Sequence, residues 1–190
     1  NSLVQKLPIL KDAAKNAPGI RILAQEPWEA LCSFIISQNN NIPRIKGIIS
    51  RLCETFGKKC GESYTFPSAE TLAVLEPDDL QDLRAGFRAG YIIDGARKVA
   101  SGEIDLEALR NMPIETAREK LMTIRGVGPK VAECTLLYGL HRLEAFPIDT
   151  WIKKAMSTLY EGLKPEDFGE YAGIAQQPLK KVTMENANEF

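Results

Sequence analysis

Ile42, Ile45, Ile48, Ile49, Leu52, Cys53 and Phe56 follow one another at helical intervals, and Gly57 closes the run. That spacing gathers the apolar side chains on one face of an α-helix; a strand would need alternation instead. The same periodicity recurs at approximately 27–37, 69–75, 78–84, 89–100, 105–110, 114–123, 129–140, 150–160 and 166–177, with Gly61, Pro67, Pro77, Gly102 and Pro113 as turn residues between. No stretch joins β-branched alternation to a hairpin turn, and no internal repeat is present. The sequence predicts an all-α fold with short connections. A chain of 190 residues is long enough for one substantial core, or for two small lobes sharing a cleft, without disulfide or metal. After Pro178 the residues LKKVTMENANEF carry little periodicity, so 178–190 are expected to be loosely held.

Charge narrows the possible partners. The 24 Lys and Arg nearly cancel the 25 Asp and Glu, so any attraction to a polyanion must be local. Cys32, Cys53, Cys60 and Cys134 are not spaced as Cys-x-x-Cys and are expected to be reduced, intracellular thiols. No apolar run reaches the ~20 residues of a membrane span, and the first residues lack the apolar core of a signal peptide. A soluble, monomeric protein with no metal and no cofactor is expected. His141 is the sole histidine and no Gly-x-Ser-x-Gly occurs, which disfavours zinc and serine hydrolases.

The stretch Leu121–Gly139 reads as a helix end, a Gly-Val-Gly turn and a new helix beginning at Pro129. Gly126 and Gly128 permit positive φ and close backbone approach, and Pro129 suits a first helical position. The turn leaves backbone N–H groups at a helix N-terminus, where a phosphate can bind. A tight corner between two packed helices is the plainer reading of Gly126, Val127 and Gly128 alone. Leu121, Ile124, Val127, Val131, Ala132, Leu136 and Leu137 are spaced for burial between two crossed helices, and Gly-x-x-x-x-Gly-Lys-Ser/Thr is absent.

Lys130 falls in the first turn of that second helix, a placement unfavourable for a cation by ~0.3–1 kcal/mol. A surface lysine at a helix start is the plain alternative. As a nucleophile, a lysine must shed its proton near neutral pH, a differential of ~4 kcal/mol that a helix end cannot supply alone. Desolvation must provide the rest, so a partly closed pocket is expected. Asp149 precedes Thr150-Trp151-Ile152 and reads as a helix N-cap. A helix from 130 to 140 travels ~15 Å and eight extended residues return ~26 Å, so the chain can bring Asp149 to Lys130.

Gly126-Val127-Gly128-x-Lys130 followed by Pro147-Ile148-Asp149 resembles the signature of the helix-hairpin-helix (HhH-GPD) DNA glycosylase superfamily. The resemblance implies that Gly126, Val127 and Gly128 contact a DNA phosphate. It implies Lys130 as the amine that attacks the sugar C1′ and, through a Schiff base, promotes β-elimination, and Asp149 as the carboxylate stabilising the developing sugar cation. Ser37-Gln38-Asn39-Asn40-Asn41-Ile42-Pro43-Arg44 and Phe87-Arg88-Ala89-Gly90-Tyr91 further resemble segments of the 8-oxoguanine DNA glycosylases. By that likeness Asn39 fills the gap left by an extruded base and Arg44 reads the orphaned cytosine. Phe87 wedges beside that cytosine and Arg88 contacts it, while Cys134 and Gln176 line the base pocket.

The implied function is base-excision repair of 8-oxoguanine opposite cytosine by a bifunctional glycosylase and abasic-site lyase. Its partner is double-stranded DNA with a damaged base or abasic site, in the cytoplasm or nucleoid, or in a nucleus. The implied fold is a single all-helical catalytic region over 1–190 with a DNA-binding cleft between two lobes. One lobe spans 26–139 and ends in the hairpin unit 116–139; 1–25 with 140–177 form the other. The chain departs from the family pattern in lacking residues for the usual β-rich N-terminal domain, in placing Lys180 where an aromatic stacks on the flipped base, and in having Trp151 where some members carry histidine. No cysteine follows Cys134, so the iron–sulfur branch is disfavoured. Removal of alkylated or a broader range of bases, or a purely non-catalytic DNA grip, remain open as alternatives.

Overall fold

The structure, a computed structural model, describes residues 21–158, 162 and 164–177. Its helices are α1 (Pro27–Ser37), α2 (Ile42–Phe56), α3 (Ala69–Ala73), α4 (Arg88–Ala100), α5 (Ile114–Met122), α6 (Pro129–Cys134), α7 (Thr150–Thr158) and α8 (172–177). The all-α expectation holds, with α1 at the centre. Pro27, Trp28, Ala30, Leu31, Cys32, Ile35 and Ile36 are all buried, an apolar girth that only an enclosed helix carries. By contrast α2 buries just Ile48 and Leu52 and lies on the periphery, leaving Ile42 exposed at its start. Its caps are local: the Asn41 side chain accepts from Arg44 N at 3.0 Å, and Gly57 N returns to Cys53 O at 2.7 Å.

Around α1 the core gathers Leu72 of α3, Ile92, Ile93 and Ala96 of α4, Leu121 of α5, Val131 and Ala132 of α6, and Leu136 just beyond it. Full burial of each large aliphatic contributes about 1.5–3 kcal/mol. Further along the chain, Phe146, Ile152, Ala155, Phe168, Ala172 and Ala175 are buried, with Phe146 stacked on Phe168 at 5.3 Å. Where α6 runs on, the Thr135 hydroxyl bonds the Val131 carbonyl at 2.9 Å, and the backbone opens into a π-turn over Thr135–Gly139. Gly139 there lies so close to Pro27 and Ala30 of α1 that an added Cβ would be 3.1 Å from the Ala30 methyl.

Several sequence expectations need correction. Lys59–Cys60 and Ser63–Tyr64 form an antiparallel ribbon, closed by a two-residue turn in which Gly61 takes φ +62°. Primed hairpin turns require positive φ at that first position, and strands of two residues leave no alternation to detect. The segments expected as helices at 78–84 and 105–110 are 3-10 turns, Pro77–Leu83 and Ala108–Arg110. Asp79 accepts from Glu76 N at 2.8 Å and Asp105 from Ala108 N at 3.0 Å, local bonds that stabilise a single tight turn. The expected helix 166–177 is a 3-10 turn, Pro165–Tyr171, that breaks at Gly169 (φ +61°) before α8. The expected segment 1–20, the end of the helix predicted to residue 160, and the tail 178–190 with Lys180 lie outside the described residues.

Candidate active site

The turn between α5 and α6 is bound on one side to α4. Arg125 N donates to Asp94 Oδ2 at 2.8 Å, and Lys98 Nζ reaches both the Thr123 carbonyl and, at 3.4 Å, Asp94. Gly126 takes φ +77°, and a Cβ there would lie 2.2 Å from the Tyr91 ring, so both conformation and packing demand glycine. Val127 is buried. Gly128 is the N-cap of α6 with extended backbone, no side chain caps this helix start, and the space above Gly128 is open. A turn with open backbone and uncapped amides suits close approach by an anion.

Lys130 stands in the first turn of α6, at the rim of a pocket of about 430 Å³ that Cys134, Tyr138, Asp149 and Gln176 also line. Four residues singled out from separate parts of the sequence are thus brought together. Asp149 Oδ1 accepts from Ile152 N at 2.9 Å, the expected cap of α7. Cys134, one helical turn after Lys130, is buried. Gln176 is buried too, its side-chain amide donating to the Pro147 carbonyl two residues before Asp149. Among the described residues the expected enclosure of Lys130 is not formed: the residue is exposed, between this pocket and a second of about 490 Å³ bounded by Arg118, Glu133, Phe146 and Ile148. A first-turn residue at the open end of a helix has only one side against its own chain, and the described residues do not cover the other.

The second group lies around the start of α2 and of α4. Asn39 is exposed with φ +46°, a left-handed conformation that asparagine tolerates, and forms the apex between α1 and α2. Asn40 donates to Ile36 O at 3.0 Å, so the three asparagines divide into an apex, a C-terminal cap and an N-terminal cap. Arg44 is exposed, its Nη2 donating to Arg84 O at 3.0 Å. Phe87 is 55% exposed and meets Tyr91 edge-on at 5.5 Å, while Tyr91 shields Gly126.

Arg88, expected to contact the orphaned cytosine, is only 2% exposed in the free protein. Its guanidinium donates to Gln38 O, to Asn39 O at 2.9 Å and to Ala85 O at 3.2 Å, and lies 4.4 Å from the Phe87 ring centre. Burial, reinforced by the Arg44 charge, lowers its pKa from the usual arginine value. In this conformation Arg88 fixes the Asn39 apex to α4, because the α1 C-terminus presents carbonyls that a buried fork of donors satisfies. Four further residues escaped the sequence reading. Tyr91 joins wedge to hairpin, and its place one turn after Phe87 was the available signal. Phe34 and Tyr138, ring centres 5.6 Å apart, wall the pocket, and Tyr138 accepts from Gln177 Nε2 at 3.0 Å. Glu133 was visible as an acid inside an apolar run.

Residues 32–168 match the model of the HhH-GPD superfamily of base excision DNA repair proteins, and the chain belongs to that superfamily. An N-glycosylase/DNA lyase of Saccharomyces cerevisiae is 40% identical over 172 residues, which cover 82% of this chain and 46% of the relative. A DNA-3-methyladenine glycosylase of Bacillus subtilis is 36% identical over 148 residues, covering 75% of this chain and 49% of that protein. The Clostridium acetobutylicum 8-oxoguanine glycosylase/lyase, solved with double-stranded DNA containing cytosine opposite 8-oxoguanine, superposes with a TM-score of 0.87 at 38% identity. The match covers 98% of this chain and 69% of that one. The chain spans about half the length of these curated relatives. Among the described residues no helix is long and apolar enough to cross a membrane.

Proposed function

We propose that this chain carries the catalytic region of a bifunctional DNA glycosylase and abasic-site lyase that removes 8-oxoguanine opposite cytosine. The observation that carries the reading is the single pocket shared by Lys130, Cys134, Asp149 and Gln176, beside an uncapped Gly126-Val127-Gly128 turn. DNA would lie in a cleft between the 26–139 lobe and the lobe containing 140–177, with its backbone at the turn and Phe87, Asn39 and Arg44 at the vacated base position. Arg88 serves that position by holding the Asn39 apex. Lys130, once deprotonated, attacks C1′ as the N-glycosidic bond breaks and the base leaves with its electron pair, taking up a proton. Asp149 offsets the positive charge that builds on the sugar. The aminal so formed loses an amine proton as its C1′–O4′ bond opens and O4′ takes up a proton; the resulting imine acidifies C2′, and loss of that proton expels the 3′ phosphate.

Borohydride trapping on a duplex with an abasic site tests the lyase half. A covalent adduct that disappears in Lys130→Gln supports it, and no adduct in the parent protein rejects it in favour of a non-catalytic DNA grip. A second reading, removal of alkylated bases, draws support from the Bacillus subtilis relative and from the Phe34–Tyr138 wall, since aromatic faces attract cationic ligands. Release of 8-oxoguanine and of 3-methyladenine from matched duplexes decides between them: the faster release names the substrate.

A further inference from the structure

Among the described residues, Glu133 is the buried acid that the proposed chemistry leaves unused. It stands on α6 three residues after Lys130 and is 7% exposed. Both carboxylate oxygens are occupied. Oε1 receives Arg118 Nε from α5, the first arm of the hairpin, and Oε2 receives Phe146 N at 2.7 Å. Phe146 opens the segment Phe146-Pro147-Ile148-Asp149 that delivers Asp149 to the pocket. Hydrogen bonds that hold this segment include Phe146 N to Glu133, Pro147 O to Gln176, and Asp149 to Ile152 N and Lys153 N. Of these bonds, only the first runs to the helix that bears Lys130.

We propose that Glu133 is a positioning residue that sets the distance between the Lys130 amine and the Asp149 carboxylate by clamping both hairpin arms to the segment carrying Asp149. A buried ion pair adds little net stability over an apolar replacement of similar volume, because desolvation offsets the attraction. What it supplies here is geometry: one rigid carboxylate fixes three backbone elements at once. A misplacement of ~1 Å from a change outside the reacting groups can cost ~10²-fold in rate, so the clamp should be visible in the chemical step.

The inference rests on the lyase reading above, and the test separates the two. In the parent protein, borohydride trapping on abasic duplex establishes the reading; absence of the adduct defeats the reading itself. With the adduct present, Glu133→Ala, Glu133→Asp and Glu133→Gln are compared by single-turnover trapping rate at saturating enzyme and by affinity for an uncleavable abasic-site analogue. Glu133→Ala is expected to slow trapping by about 10²-fold with affinity within about threefold of the parent. Glu133→Asp, which keeps the charge but shortens the reach by one methylene, should slow it by about tenfold or more. Glu133→Gln, which keeps an oxygen for Phe146 N, should recover much of the rate. Folded Glu133→Ala or Glu133→Asp protein that traps as fast as the parent overturns the clamp, as does a rate loss that tracks lost affinity. If Glu133→Ala does not fold, Glu133→Asp decides; if no variant folds, Glu133 is assigned to stability and the proposal falls.

Discussion

Replacing Gly126 by alanine should be among the costliest single-methyl additions to this chain, and the structure divides the cost into two parts. The first is backbone: at φ +77° a residue with a Cβ loses about 1–2 kcal/mol relative to its preferred regions. The second is packing. The added Cβ would sit 2.2 Å from two Tyr91 ring carbons, where ordinary contact begins at 3.4 Å, so the ring or the turn must retreat by more than 1 Å. Overpacking of this kind costs about 1–3 kcal/mol. The sum, about 2–5 kcal/mol, is a large share of the ~5–15 kcal/mol that holds a typical domain together. Urea denaturation of the parent, Gly126→Ala, Tyr91→Ala and the double variant separates the parts. Removing the ring abolishes the clash and leaves the φ cost, so the double variant should be more stable than additivity requires by about 1–3 kcal/mol. Additivity within about 0.5 kcal/mol would refute the contact between Tyr91 and the turn as the reason for glycine.

Gly128→Ala makes a deliberate contrast: φ is −97° and nothing lies within 4 Å of an added Cβ, so stability should stay within about 0.5 kcal/mol while affinity for duplex DNA falls. Fluorescence anisotropy beside a urea melt checks this, and unchanged affinity would argue against a phosphate at the turn. Burial, with Glu26 and Glu29 adding to it, raises the Cys32 thiol well above 9.0, so an unfolded chain ionises first as pH climbs. Its contribution is fully present below pH 9.0 and is lost as pH rises toward the folded value, so Cys32→Ala should flatten the alkaline arm of the stability profile.

The parts legible in the sequence are those encoded by residues close together in the chain. The helical period of α1 and α2, the Gly-Val-Gly-Pro start of α6 and the Asp149 cap are all signals within a few residues. What stayed hidden is tertiary. Nothing adjacent to Arg88 announces that its guanidinium reaches carbonyls fifty residues earlier, because an arginine in a first helical turn usually faces water. Glu133 inside Val131-Ala132-Glu133-Cys134 was a visible anomaly, since a buried acid needs partners. Those partners, Arg118 and Phe146 N, come from opposite sides along the chain and become neighbours only when the hairpin closes. The ribbon at 59–64 escaped for the opposite reason: two residues per strand are too few for a period.

The exposure of Lys130 turns the nucleophile question outward. An amine that attacks C1′ near neutral pH needs a drier environment than bulk water, and the described residues border Lys130 on two sides without covering it. Exposed Leu23 at one pocket and Ile148 at the other flank the opening with apolar surface that has no evident use in the free protein. A duplex gripped at the Gly126–Gly128 turn would press its deoxyribose against this apolar rim and expel water from around the amine, so substrate would complete the site it reacts in. Trapping at saturating enzyme should therefore run at least about tenfold faster on an abasic site in duplex than on the same site in an unstructured single strand, which cannot engage turn and wedge together. Leu23→Ser, at a position 68% exposed, should narrow that gap with little effect on the melting temperature. Equal saturating rates on the two substrates would mean that the chain dries Lys130 unaided, and the argument from exposure would fail.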